Sequence, residues 1–236
     1  MNAHTKVCSG SITYHGEVDQ GSEAWLKLRC GKLTASEMKL IITPTLKVAN
    51  NDKERAHLYE LLAQRITGYV EPQYISDDML RGMDDEVRAR ELYAKKCTPV
   101  TECGFITNDS FGFTIGYSPD GLVGDDGLIE VKSRRAKFQV QTIIECLTDE
   151  TIPADFLIQC QTGLMVSERK WLDFISYSGG LPMAVVRVHP DETVQNAIVE
   201  AAAEFELRLS EKWEIYRKAS RDLIPTERTI EIEMFT

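Results

Sequence analysis

From Ser118 to Lys132 the chain reads Ser118-Pro119-Asp120-Gly121, a short stretch interrupted by Asp125-Asp126-Gly127, and then Ile129-Glu130-Val131-Lys132. Pro-Asp-Gly and Asp-Asp-Gly are turn signals, and aliphatic residues stand between and after them, so the segment is committed to a strand–turn–strand arrangement. Side chains alternate between the two faces of a strand. Glu130 and Lys132 therefore share one face, while Ile129 and Val131 occupy the other and need an apolar layer over them. Folding back through the second turn returns the Asp120 carboxylate toward Glu130. Two carboxylates and an ammonium are thereby expected on one sheet edge.

That trio has a chemical use. Hard carboxylate oxygens suit Mg²⁺, which keeps several waters and couples to substrate phosphates. Such an ion makes water a better nucleophile and offsets charge on a departing oxygen. A lysine two residues beyond the ligand can orient the water or stabilise the charged transition state. Taken alone, a hairpin with acidic turns and a surface Glu–Lys pair would show the same pattern, so the rest of the chain must discriminate.

Around this segment the periodicity changes along the chain. Residues 99–132 as a whole read as a three-stranded antiparallel meander. Upstream, Ser22 is placed to cap a helix carrying Trp25, Leu26 and Leu28 that Gly31 ends, and Thr34 or Ser36 to cap a second one reaching about Ile42. Leu58, Leu61, Leu62 and Ile66 put a helix over Asp52–Thr67 before Gly68, and another is expected over Asp77–Lys96. Downstream come helices over about 135–147 and 154–166, strands near 170–177 and 183–188, and a long amphipathic helix from Asp191 to about Ala219. Residues 1–20 read as an irregular start and 220–236 as a tail. With no repeat and no Pro-rich spacer, the expectation is one α/β domain over 1–236, a mixed central sheet flanked by helices.

The net charge of −10 argues against a protein that coats nucleic acid. Local basic groups at Lys27, Arg29 and Lys32, at Arg81, Arg88 and Arg90, and at Lys132, Arg134, Arg135 and Lys137 suit instead a negatively charged substrate held at one place. The six cysteines form no CxxC pair and read as reduced thiols. Neither a signal peptide nor a membrane span is evident, so the expected location is the cytoplasm, with no membrane partner.

Pro119-Asp120 followed by Glu130-x-Lys132 resembles the core of the PD-(D/E)xK nucleases. The wider chain is similar to one branch, the phage lambda exonuclease family, also described as alkaline exonucleases or viral recombinases. The blocks that carry the likeness run from Trp25 to Trp171: Ala24-Trp25-x-Lys27-Leu28-Arg29-x-Gly31, Leu33-Thr34-Ala35-Ser36-Glu37, Gly82 with Glu86, Ser118-Pro119-Asp120-Gly121-Leu122, Glu130-x-Lys132 and Gln159-x-Gln161. Ser133-Arg134-Arg135 and the stretch from Leu46 to Asp52 depart from it.

What the resemblance implies is a restriction-endonuclease-like core and a hydrolase acting as a 5′-to-3′ exonuclease. Linear double-stranded DNA would be degraded to 5′ mononucleotides, leaving 3′ single strands for recombination. Asp120, Glu130 and the main-chain carbonyl of Val131 would hold Mg²⁺, with Glu86 the ligand of a second ion and Mn²⁺ an acceptable substitute. Lys132 would handle the attacking water, and Gln159 a phosphate or water beside the ions. Arg29, Thr34, Ser36 and Ser118 would grip the terminal 5′ phosphate. The family also implies a homotrimer and a single-strand annealing protein as partner. Two rivals remain at this point: an endonuclease or junction resolvase with the same metal site, and a non-catalytic protein that binds DNA ends.

Overall fold

The computed structural model describes residues 11–72 and 75–228. Its strands form two four-stranded sheets. The first has the order β1 (Ile12–His15), β3 (Phe105–Asn108), β4 (Ile115–Tyr117), β2 (Leu33–Thr34), and the second β5 (Gly121–Val123), β6 (Gly127–Ser133), β7 (Trp171–Tyr177), β8 (Ala184–Val188). Both are mixed: β2 runs parallel to β4, and β6 parallel to β7, while the other neighbours are antiparallel. The expected α/β class with mixed pairing and flanking helices is therefore present, its strands shared between two sheets. In place of the three-stranded meander over 99–132, β3 and β4 pair in the first sheet and β5 and β6 in the second. Pro119, which has no N–H to give to a ladder, lies where the chain leaves one sheet for the other.

Capping residues set most helix starts. Ser22 accepts from the Trp25 N–H and opens α1 (Glu23–Arg29), Asn51 opens α2 (Asp52–Thr67), and Ser76 opens α3 (Asp77–Lys96). Gly68 closes α2 in the left-handed conformation, φ 63°. After β6 the chain makes a crossover through α4 (Ala136–Glu145) and α5 (Ala154–Ser167) before returning as β7, the long connection that a parallel pair requires. Asp191 caps α6 (Glu192–Ala219), which packs on α2 and α5.

The irregular start is corrected in part. Residues 1–10 lie outside the described residues, but Ile12–His15 is a strand paired in register with β3. The helix expected from Thr34 or Ser36 to Ile42 is also absent. Leu33 and Thr34 pair with β4, and only a single 3-10 turn follows at Met38–Leu40. Thr34 is drawn into the sheet as the partner of Gly116, and its hydroxyl donates to the Glu37 carboxylate at 2.6 Å. Of the expected tail, residues 229–236 lie outside the described residues.

Strand β6 is covered on both faces, and this places the site. Ile129 and Val131 pack with Ala89 and Tyr93 of α3 and with Ile175 of β7. Burying each contributes about 1.5–3 kcal/mol, which locks the strand's phase and leaves Glu130 and Lys132 no face but the opposite one. There Leu128 joins the main core with Cys160 and Leu164 of α5, Phe174 and Phe205.

Candidate active site

The chemistry-bearing side chains meet where the two sheets adjoin. Strand β5 pairs with β6 only as far as Ile129, so the edge of β6 beyond it has no strand partner. Asp120 fills that gap, its Oδ2 accepting from the Val131 N–H at 2.6 Å. The N–H and C=O of a strand residue point to the same edge, so the Val131 carbonyl is turned toward this side as well. Glu130 is 1% exposed. Its Oε1 accepts from Lys132 Nζ at 2.6 Å and from Gln159 Nε2, and its Oε2 from the Tyr117 hydroxyl at 2.8 Å. Glu86 reaches in from α3 and is held by Arg90, whose Nη1 donates to Glu86 Oε1 at 3.1 Å and to the Asp120 main-chain oxygen at 3.2 Å.

A second group lies in the same cleft. The Arg29 guanidinium stacks 4.5 Å from the Trp25 ring centroid, and its Nη2 donates to the Thr34 hydroxyl at 3.2 Å. Thr34 in turn lies 3.3 Å from the Ser36 hydroxyl. Ser118 accepts from the Trp25 indole N–H at 2.9 Å. One cavity of about 240 Å³ is lined by Arg29, Ser36 and Ser118 together with Glu86, Asp120, Glu130, Val131, Lys132 and Gln159. Thr34, buried behind the lining, is the one residue of the expected phosphate group that reaches the cavity only through its neighbours.

Crowded, buried carboxylates dominate the electrostatics of the cleft. Burial, followed by the charges of Glu130 and Glu86, pushes the Asp120 carboxyl well above the usual range, against the pull of Lys132 and the Val131 N–H. Glu86 is raised too, by burial first, with Arg90 opposing and Glu130 adding to the rise. Burial works against the Lys132 ammonium, but Glu130 and Asp120 outweigh it and keep it charged. Burial and the same two carboxylates hold the Tyr117 hydroxyl protonated, so it can only donate to Glu130. Three carboxylates thus face two cations, Lys132 and Arg90, and crowd one another. An excess of hard, anionic oxygen is the donor set of a divalent-ion site, and the residues fit one. Among the described residues no three His, Cys, Asp or Glu side chains are gathered as a ready-made cage.

Residues around the carboxylates extend the reading of the sequence. Gln161 stands apart from the cleft: its amide binds the His189 carbonyl, the Asp191 N–H and the Gln195 side chain, and so ties the entry of α6 to α5. Tyr117 and Arg90, by contrast, touch the carboxylates: Arg90 shows in the sequence only as part of a basic group, and nothing about the position of Tyr117 singles it out. Asp85, beside Glu86, is turned away to accept from the Ser133 hydroxyl at 2.6 Å.

Among the described residues no helix is long and apolar enough to cross a membrane. The five cysteines among them are free thiols; Cys8 lies outside.

Curated proteins offer no match to this chain. Solved structures do. The alkaline exonuclease (LHK-Exo) of Laribacter hongkongensis is 29% identical with a TM-score of 0.74, the match covering 86% of this chain and 100% of that one. The same enzyme in complex with dAMP gives 30% identity over the same shares, again with a TM-score of 0.74. A phage-related exonuclease from Haemophilus somnus 129PT shares the fold at 14% identity and a TM-score of 0.56, covering 77% of this chain and 96% of its own. Residues 24–170, which hold every residue of the cleft, match the model of the YqaJ-like viral recombinase domain. The chain belongs to that family, within the phage lambda exonuclease group.

Proposed function

We propose that the protein is a Mg²⁺-dependent 5′-to-3′ exonuclease of linear double-stranded DNA that releases 5′ mononucleotides and leaves 3′ single-stranded ends. The observation that carries this reading is the shared cleft: a cation-and-hydroxyl group at Arg29, Ser36 and Ser118 opens into the cavity of Glu86, Asp120, Glu130 and Lys132. An arginine with hydroxyls is suited to a phosphate, and only an enzyme that starts from an end has a terminal phosphate to grip. The similarity to an alkaline exonuclease over its whole length supports the same reading.

In the reaction, the oxygen of water bonds to phosphorus and the P–O3′ bond breaks, freeing a 5′ mononucleotide. The next nucleotide is left with a 5′ phosphate, so each turnover regenerates the group that Arg29 recognises. Asp120, Glu130 and the Val131 carbonyl hold one Mg²⁺ and Glu86 contributes to a second, Mn²⁺ being a competent replacement. When bound, these ions activate water and neutralise charge on the departing oxygen. The Lys132 ammonium, kept protonated by Glu130 and Asp120, orients the water and stabilises the charge that grows on the phosphate oxygens. Gln159 braces Glu130 from α5 and presents its amide beside the reacting phosphate.

The reading extends to assembly. The protein forms a homotrimer on DNA ends and passes its single strand to an annealing protein in the cytoplasm of a bacterial or phage-infected cell.

A digestion series on end-labelled duplex tests the proposal, comparing linear with closed circular DNA, 5′-phosphorylated with 5′-hydroxyl ends, and Mg²⁺ or Mn²⁺ with EDTA. Labelled mononucleotide should appear only from linear DNA, fastest from phosphorylated ends, and not in EDTA. Cutting of the closed circle would replace the proposal with an endonuclease. End binding with no hydrolysis under any ion would replace it with a non-catalytic end-binding protein.

A further inference from the structure

Glu130 is gripped from both sheets and from α5, and one of those grips has no role in the proposed reaction. Lys132 and Gln159 share Oε1, which leaves Oε2 to the Tyr117 hydroxyl at 2.8 Å. Tyr117 ends β4 in the first sheet and Glu130 lies in β6 of the second, so this hydrogen bond crosses the junction at which the cleft is built.

The Tyr117 ring is 1% exposed and lies against α5 at Gly163. A Cβ at Gly163 would stand 2.7 Å from Cζ and 2.9 and 3.0 Å from the two Cε atoms, distances that no side chain tolerates without displacing the ring. Glycine is a poor residue for a helix interior, and here it lies within α5. The close approach of the ring accounts for it. Gln159 and Gly163 are four residues apart, on one face of α5. That face therefore supplies an amide to one oxygen of Glu130 and clears space for the tyrosine that holds the other.

We propose that Tyr117 is a positioning residue for Glu130: its hydroxyl, seated by the gap at Gly163, fixes the rotation of the carboxylate and so the oxygen that Glu130 offers to a divalent ion. A phenylalanine would fill the same volume, so the hydroxyl is what the site uses. Hydrogen bonds to a ligating carboxylate commonly tune ion affinity by about 10–100-fold. The inference rests on the reading of Glu130 as an ion ligand given above.

The test is Tyr117→Phe, measured by calorimetric titration of Mn²⁺ into DNA-free protein and by the Mg²⁺ concentration that gives half-maximal hydrolysis. The variant is expected to bind Mn²⁺ about 10–100-fold more weakly and to need correspondingly more Mg²⁺, with its thermal midpoint near that of the wild type. Gly163→Ala, which keeps the hydroxyl but displaces the ring, should weaken Mn²⁺ binding in the same direction. Wild-type Mn²⁺ affinity in either variant overturns the assignment, even if the midpoint has fallen, because a merely structural tyrosine would move stability alone. Wild-type protein that binds no divalent ion overturns the ion-ligand reading of Glu130 and the role of Tyr117 with it; unimpaired variants of an ion-binding wild type overturn the role alone.

Discussion

Replacing Asp120 with Asn should make the ion-free protein more stable and inactive. The carboxylate faces Glu130 and Glu86, and burial and those two charges raise its pKa. Like charges held within one small cleft repel by roughly 3 kcal/mol at an effective dielectric of about 20. Lys132 and Arg90 already offset part of this in the wild type. Asparagine can still accept from the Val131 N–H that Asp120 Oδ2 now takes at 2.6 Å, so no buried donor is orphaned. The bond does weaken from charge-assisted to neutral, a loss of about 1 kcal/mol. The balance is a gain of about 1–2 kcal/mol, or roughly 2–8 °C in Tm for a chain of this size.

The sign of the pH dependence follows from the same shift. A carboxyl whose folded pKa is raised favours the fold at low pH and loses that contribution as pH rises through the folded value. The advantage of the asparagine variant should therefore be absent below the ordinary carboxylate range and grow above it. Differential scanning fluorimetry in EDTA between pH 5 and pH 8 reads this directly. Mg²⁺ at ten times its Kd should add about 1.4 kcal/mol to the wild type and close much of the gap, while leaving the variant almost unmoved. A variant no more stable than wild type in EDTA at pH 8 would refute the argument that crowded, uncompensated charge defines this cleft.

Lys132→Ala should leave duplex-end binding within a few-fold of wild type while hydrolysis falls by at least about 100-fold, since its assigned task belongs to the transition state; equal turnover removes the residue from the mechanism. Arg29→Ala should abolish most of the preference for 5′-phosphorylated over 5′-hydroxyl ends, and a preference that survives intact places the phosphate site elsewhere. In the core, Phe205 is fully buried beside His57, so Phe205→Ala should lose about 3–5 kcal/mol in urea unfolding; a loss under about 1 kcal/mol would mean that α6 is not seated as described.

What could be read from the sequence was what adjacent residues decide among themselves. Asp52–Thr67 and Asp77–Lys96 have the bounds that caps and periodicity foretell, because Asn51, Ser76 and Gly68 act on the turns next to them. The alternation in Ile129-Glu130-Val131-Lys132 likewise fixes its own faces, and the apolar cover of Ile129 and Val131 by α3 holds that phase in place. Ile12–His15 and Leu33–Thr34 carry no such local statement. They are strands only because β3 and β4 supply partners 82 or more positions away, and neither segment is long enough to show a pattern by itself.

The phosphate group and the role of Glu86 became visible through resemblance, which names positions but not the contacts behind them. Tyr117 makes the difference plain. Its hydroxyl acts thirteen residues downstream and across a sheet boundary, and the residue that makes room for it, Gly163, lies on a helix where glycine reads as a defect. A glycine that weakens its own helix has meaning only when the ring it admits is known. Exchanging it for alanine should therefore improve the isolated helix while harming the site. That opposition between local and tertiary preference is why the second layer of this cleft had to come from the structure.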